Sequence, residues 1–291
     1  MKRWPWHMHR PCRCDAAHSR VHARFGHDAY DNQYTRANVF GLDVSLSEMM
    51  SKLAKIPLRY QPGTKFVYSV GPDIQARLVE VLSGMPFDEF LEQRLFKPLG
   101  MRDAGFWVPT SKANSLATVY WAKDNKLVPL DEVHGHPEGG ILVQPWSVNS
   151  YTANHKHKRG SFGLVSTTRD YWRFAQMMLN GGVFNGTRVL SPQVVHFMTR
   201  DHLGAISIFE PDQPPAGMEF GLGFAVMKDP AEAGYMRPEG SLFWGGAANT
   251  VFWIDPQEDM VVVAMTQHMD VPAAEMLWPQ IRTLVYSALI N

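Results

Sequence analysis

The 291-residue chain is long enough for one large domain or two ordinary ones, and 45% hydrophobic residues can fill a sizeable core. Its 28 basic and 28 acidic side chains cancel, which excludes a global field drawing it to nucleic acid or an anionic membrane and favours small neutral ligands. No apolar run reaches the length of a membrane span and the amino terminus lacks the apolar centre of a signal peptide, so the expectation is a cytoplasmic protein.

Residues 1 to about 25 are rich in Arg, His, Pro, Trp and Cys and show no apolar period. Residues 1–37 are expected to be an atypical segment, disordered or read in a shifted frame. Cys12 and Cys14 are too close for an ordinary disulfide and too few for a metal cage. From Ser45 the texture changes: Ser45 and Glu48 form a capping pair ahead of Leu46, Met49, Met50 and Leu53 at helical spacing. A turn at Arg59–Thr64 leads into Lys65–Val70. Two further amphipathic helices follow, one through Ile74, Leu78, Val81 and Leu82 closed by Gly84, the other through Phe87, Phe90, Leu91 and Leu95 before Pro98 and Gly100.

Residues 101–160 show little periodicity. They hold His134-Gly135-His136 and His155-Lys156-His157, but no carboxylate or thiolate stands at matching spacing, so these read as solvated loop histidines and no metal or cofactor is expected. Helices resume with Tyr171, Phe174, Ala175, Met178 and Leu179, stopped by Gly181-Gly182, and with a shorter one after Ser191-Pro192. Phe220–Met227 reads as a strand. Thr250–Ile254 and Met260–Met265, flanking Asp255-Pro256-Gln257-Glu258-Asp259, read as a hairpin, and Leu277, Ile281, Leu284, Val285 and Ala288 mark a terminal helix. Trp244-Gly245-Gly246-Ala247-Ala248 ends an apolar piece just before the hairpin, where the small residues either let a ligand come close to the backbone or only shape a bulge. Helices in the middle and strands near the end make an α+β chain, without a dinucleotide or P-loop fingerprint.

Four ordered stretches, Gln61–Ser69, Phe96–Met101, Gly163–Thr167 with Asp170 and Phe174, and Trp244–Gly246, resemble the serine β-lactamase and DD-peptidase superfamily. Within it they are most similar to the class C-like carboxylesterases. The resemblance covers about residues 38–291. It implies a β-lactamase/transpeptidase-like fold, an antiparallel sheet flanked by helices plus a mostly helical part, with residues 38–217 mainly helical and 218–291 holding the sheet hairpin and terminal helix. Tyr68-Ser69-Val70 matches the second motif, with Val70 where lactamases have Asn, and Trp244-Gly245-Gly246 matches the third. Asn249 stands where the esterases often have Gly, a swap compatible with a left-handed backbone.

The implied chemistry is acyl transfer on small esters through an acyl-enzyme, with Tyr68 as general base and acid. Ala247, from the strand after the third motif, would donate an oxyanion N–H, and Ser69, Val70, Trp244, Gly245 and Gly246 would bind substrate. The first motif, Ser-x-x-Lys, is missing, since no lysine has Ser or Thr three positions before it. The expectation is therefore a late-starting chain without the amino-terminal strands and nucleophile helix, either an incomplete or inactive serine hydrolase or a non-catalytic ligand-binding protein. Val261-Val262-Val263 would then line an uncovered sheet edge through which the chain self-associates.

Overall fold

The computed structural model describes residues 31–123, 126–129, 151–207, 217–269 and 271–290. The helical part opens with α1 (Asp31–Arg36) and α2 (Leu46–Leu53), where Ser45 and Glu48 form a reciprocal capping box. Tyr34 and Ala37 pack against the cluster formed by Val39, Phe40, Val44, Leu46 and Met49. That apolar contact is what holds so short a helix. Cys12, Cys14 and His134-Gly135-His136 lie outside the described residues.

The next helix, α3 (Gly71–Ser83), begins with Pro72 in its first turn and ends on Gly84 at φ 68°, a left-handed cap suited to glycine. Its orientation departs from the apolar pattern. Asp73 and Ala76 are buried, while Ile74, Leu78, Val81 and Leu82 are all at least half exposed among the described residues. Periodicity located the helix, but an ionic contact described below chose its inward face. The following amphipathic stretch is α4 (Phe87–Leu91), a π turn at Glu92–Phe96, and α5 (Lys97–Leu99) capped by Gly100. A short ribbon of β1 (Tyr120–Lys123) and β2 (Lys126–Pro129) then interrupts the region that shows no period in the sequence.

Thr167 caps α6 (Thr168–Leu179), which runs into a small ribbon of β3 (Val183–Phe184) and β4 (Thr187–Arg188), and Ser191 caps α7 (Pro192–Met198). The sheet starts at Met218, with antiparallel order β5-β6-β7-β8-β9. Its strands are β5 (Met218–Phe220), β6 (Ala225–Met227), β7 (Leu242–Gly245), β8 (Val251–Asp255) and β9 (Met260–Ala264), with α8 (Pro230–Ala233) between β6 and β7. The single strand expected over Phe220–Met227 is two. Gly223, at φ 94°, takes a conformation an L side chain resists, and the chain folds back there so that Phe220 pairs with Ala225.

The hairpin β8–β9 is as expected, Asp255 pairing with Met260. One face of the sheet packs on α6, with Phe252, Ile254 and Val263 meeting Ala175, Met178 and Tyr171. The other packs on α9 (Val271–Ser287), with Trp253 and Val262 meeting Ile281, Val285 and Tyr286. Both faces of β9 are therefore used, and β8 is its sole strand partner among the described residues.

Candidate active site

Tyr68 and Phe66, two positions apart ahead of α3, both pack on aromatic side chains of the sheet. Tyr68 stacks on Trp244 of β7 with ring centroids 5.9 Å apart and planes 25° from parallel. Phe66 packs against Phe220 at 5.2 Å, and Phe220 meets Trp244 edge-on at 5.3 Å. Residues distant in sequence thus form one aromatic wall, favoured by apolar burial and ring geometry. Burial pushes the Tyr68 phenol above its ordinary range. A hydrogen bond with Trp244 and the charge of Arg159 pull it back, and Asp73 pushes it further up.

The other residues singled out from the second motif sit differently. Ser69 is half buried, and Val70 is buried among Val39, Met49 and Ala76, its carbonyl accepting the Asp73 and Ile74 N–H groups at the start of α3. Val70 therefore serves as a core residue and helix start and does not line the aromatic wall.

The third motif ends β7 at Gly245, and Gly246 to Asn249 form the turn into β8. The space left by the missing side chain of Gly245 is already filled. A Cβ there would lie 2.4 Å from the Trp278 ring, so the close approach expected for a ligand is made by an indole of α9. At Gly246 a Cβ would meet Thr250 Oγ1 at 2.4 Å. Ala247 lies in the turn and not on a strand as expected; among the described residues its N–H has no acceptor.

Asn249 takes φ 59°, the left-handed conformation compatible with its place in the sequence. Its side chain donates to His268 O at 2.7 Å, and its carbonyl accepts from Thr266 Oγ1 at 2.9 Å and Trp278 Nε1 at 3.3 Å. The turn is thereby tied to the segment after β9 and to α9.

At the start of α3 lies a polar cluster that sequence spacing does not reveal. Asp73, fully buried, faces Arg159, itself 7% exposed, and Ser161. These residues are more than eighty positions apart, and no motif links them. No group of three or more His, Cys, Asp or Glu side chains placed to hold a metal ion, at His155 and His157 or elsewhere, occurs among the described residues. His157 is also not a solvated loop residue. Its ring is half buried, Nδ1 donates to Val44 O at 2.8 Å, and burial lowers its pKa.

In a comparison across protein families, the Beta-lactamase profile matches residues 17–285. The chain belongs to the beta-lactamase family. Among solved structures it is similar to EstCE1, "a hydrolase with promiscuous acyltransferase activity", with TM-score 0.74 and 25% identity, covering 90% of this chain and 68% of that one. An uncharacterized protein of Mycobacterium tuberculosis is 31% identical over 225 residues, 75% of this chain and 53% of the relative. A Salmonella schwarzengrund protein named "Putative D-alanyl-D-alanine carboxypeptidase" is 28% identical over 261 residues, 84% of this chain and 55% of that protein. The chain spans about half the length of these curated relatives. Family membership and the α+β, β-lactamase-like fold thus stand as the sequence resemblance implies. No helix among the described residues is long and apolar enough to cross a membrane.

Proposed function

We propose that this chain carries the tyrosine and third-motif side of an esterase-type acyl-transfer cleft that takes small esters, with Tyr68 handling the proton of the attacking group. The observation that carries the reading is the Tyr68–Trp244 stack, which sets the second motif against the end of β7 across 5.9 Å. In this reading Ala247, whose N–H has no acceptor among the described residues, supplies an oxyanion donor. Ser69, Trp244, Gly245 and Gly246 flank the acyl group, and the likeness to EstCE1, "a hydrolase with promiscuous acyltransferase activity", supports acyl transfer.

A second reading, a non-catalytic acyl-binding site, is favoured by the absence of Ser-x-x-Lys from the 291 residues. An ordinary tyrosine is only ~0.1% phenolate at pH 7, and burial leaves Tyr68 less ionised still. Incubation with a fluorophosphonate probe and a short-chain nitrophenyl ester separates the two. Covalent labelling with turnover abolished by Tyr68→Phe supports the enzyme. Quenching of tryptophan fluorescence by the corresponding amide, weakened by Tyr68→Phe and without turnover, supports the binding protein. Neither signal refutes both.

A further inference from the structure

The carbonyl of Gly246 and the N–H of Ala247 belong to one trans peptide plane and point in opposite directions, so whatever fixes the carbonyl also aims the N–H. Gly246 O accepts the Asn249 N–H at 3.0 Å, which closes the turn, and the Gly246 N–H donates to Thr250 O at 2.8 Å. Ala247 itself is half buried, whereas Ala248 and Asn249 behind it are buried.

The closing residue is anchored on several further sides. Asn249 donates its side chain to His268 O at 2.7 Å, and its carbonyl accepts from Trp278 Nε1 at 3.3 Å. Thr266 Oγ1 stands 3.0 Å from Ala248 O and 2.9 Å from Asn249 O, so one hydroxyl proton is shared between two successive carbonyls. The His268 N–H reaches Ala248 O at 3.1 Å. This segment after β9 is held in turn by β1: the Tyr120 N–H donates to Gln267 O at 2.7 Å, and the Met269 N–H to Tyr120 O at 2.8 Å. A four-residue turn is closed by its single backbone bond. The additional bonds lie behind the half-buried peptide and restrict how far it can rotate.

We propose that Thr266 and Asn249 are positioning residues for the Ala247 N–H, locking the turn Gly246–Asn249 in the arrangement that presents this donor to a developing oxyanion. Both act through the backbone, Asn249 by holding Gly246 O and Thr266 by holding the two carbonyls that follow Ala247. A donor fixed in advance needs no reorganisation when charge develops, which is where such a donor gains its strength. The inference rests on reading Ala247 as an oxyanion donor, but its test needs neither turnover nor a nucleophile.

The full chain, labelled with 15N-alanine, is titrated with the monoanion of monomethyl butylphosphonate, whose tetrahedral oxygens stand in for the addition intermediate of an ester. The Ala247 amide is the resonance missing from Ala247→Gly, and in the parent it is expected to move downfield to saturation. Thr266→Val keeps the shape and removes the hydroxyl. It strands no buried acceptor, since Ala248 O keeps the His268 N–H and Asn249 O keeps Trp278 Nε1. Its affinity for the phosphonate is expected to fall about threefold to tenfold, with a smaller downfield movement, and Thr266→Ser is expected to restore both. Asn249→Gly tolerates the left-handed backbone and loses only the bond to His268 O, so it gives the same direction of change and stands in where Thr266→Val fails to fold. A role confined to stability would lower the melting temperature of these variants while the folded proteins kept the parent's affinity and shift, and that result overturns the inference alone. A parent whose Ala247 amide ignores the phosphonate removes the oxyanion reading and the inference with it.

Discussion

Gly245→Ala separates two uses of a small residue: access for a ligand and room for a packed indole. The added methyl would stand 2.4, 2.9 and 3.1 Å from three ring carbons of Trp278, well inside contact distance. Trp278 cannot swing away freely, because it is 8% exposed, packs with Val251 and donates to the Asn249 carbonyl at 3.3 Å. Overpacking of a rigid site costs about 1–3 kcal/mol, or roughly 2–4 °C of melting temperature per kcal/mol in a chain of this size. Gly246→Ala is the internal control. Its methyl meets only the Thr250 hydroxyl, which a rotation of the side chain moves aside, so its cost is expected to be smaller. Thermal and urea melts of both variants and of Gly245→Ala/Trp278→Leu test this, the double variant recovering part of the loss. A Gly245→Ala protein that melts like the parent, or no better recovery with Trp278→Leu than with a distant substitution, would refute the packing account.

The Asp73–Arg159 pair and the Lys228–Glu219 pair are expected to differ sharply: Asp73→Ala strands a buried guanidinium and costs about 3–5 kcal/mol, whereas Lys228→Ala, at an exposed pair, costs less than about 1 kcal/mol in urea titrations. His157 has its pKa depressed by burial, so the unfolded chain binds the proton more readily. Its contribution is present above the ordinary imidazole value of about 6.5 and lost as pH falls through the lower folded value, so urea midpoints should drop between pH 7.5 and 5 and drop less in His157→Asn. Through the outer edge of β9, which has no strand partner among the described residues, the chain is expected to self-associate with rising concentration in light scattering. Met260→Lys, at the start of that strand, should reduce the association, and a monodisperse, cooperatively melting parent monomer would contradict it.

Much of this protein was legible in one dimension because local physics wrote it there. The Ser45–Glu48 capping box, the glycine stops at Gly84 and Gly100, the hairpin about Asp255–Met260 and the left-handed Asn249 each depend on a few neighbouring residues. The ordered motifs, read as a family resemblance, also brought Tyr68 and Trp244 into one site before any contact was known. What the linear pattern could not supply is the set of partners chosen across long sequence separations. Apolar spacing marked α3 but assigned it the wrong inward face, because the burial of Asp73 against Arg159 is a contact across 86 positions with no local signature. Gly245 looked like space for a ligand until Trp278 was found in it, since a glycine shows room but not the occupant. The sequence by itself determined most of the elements, their caps and the family; only the tertiary structure decided which face of α3 turns inward, where the Phe220–Met227 stretch folds back and which ring fills the third motif, because each of these is settled by what meets in space.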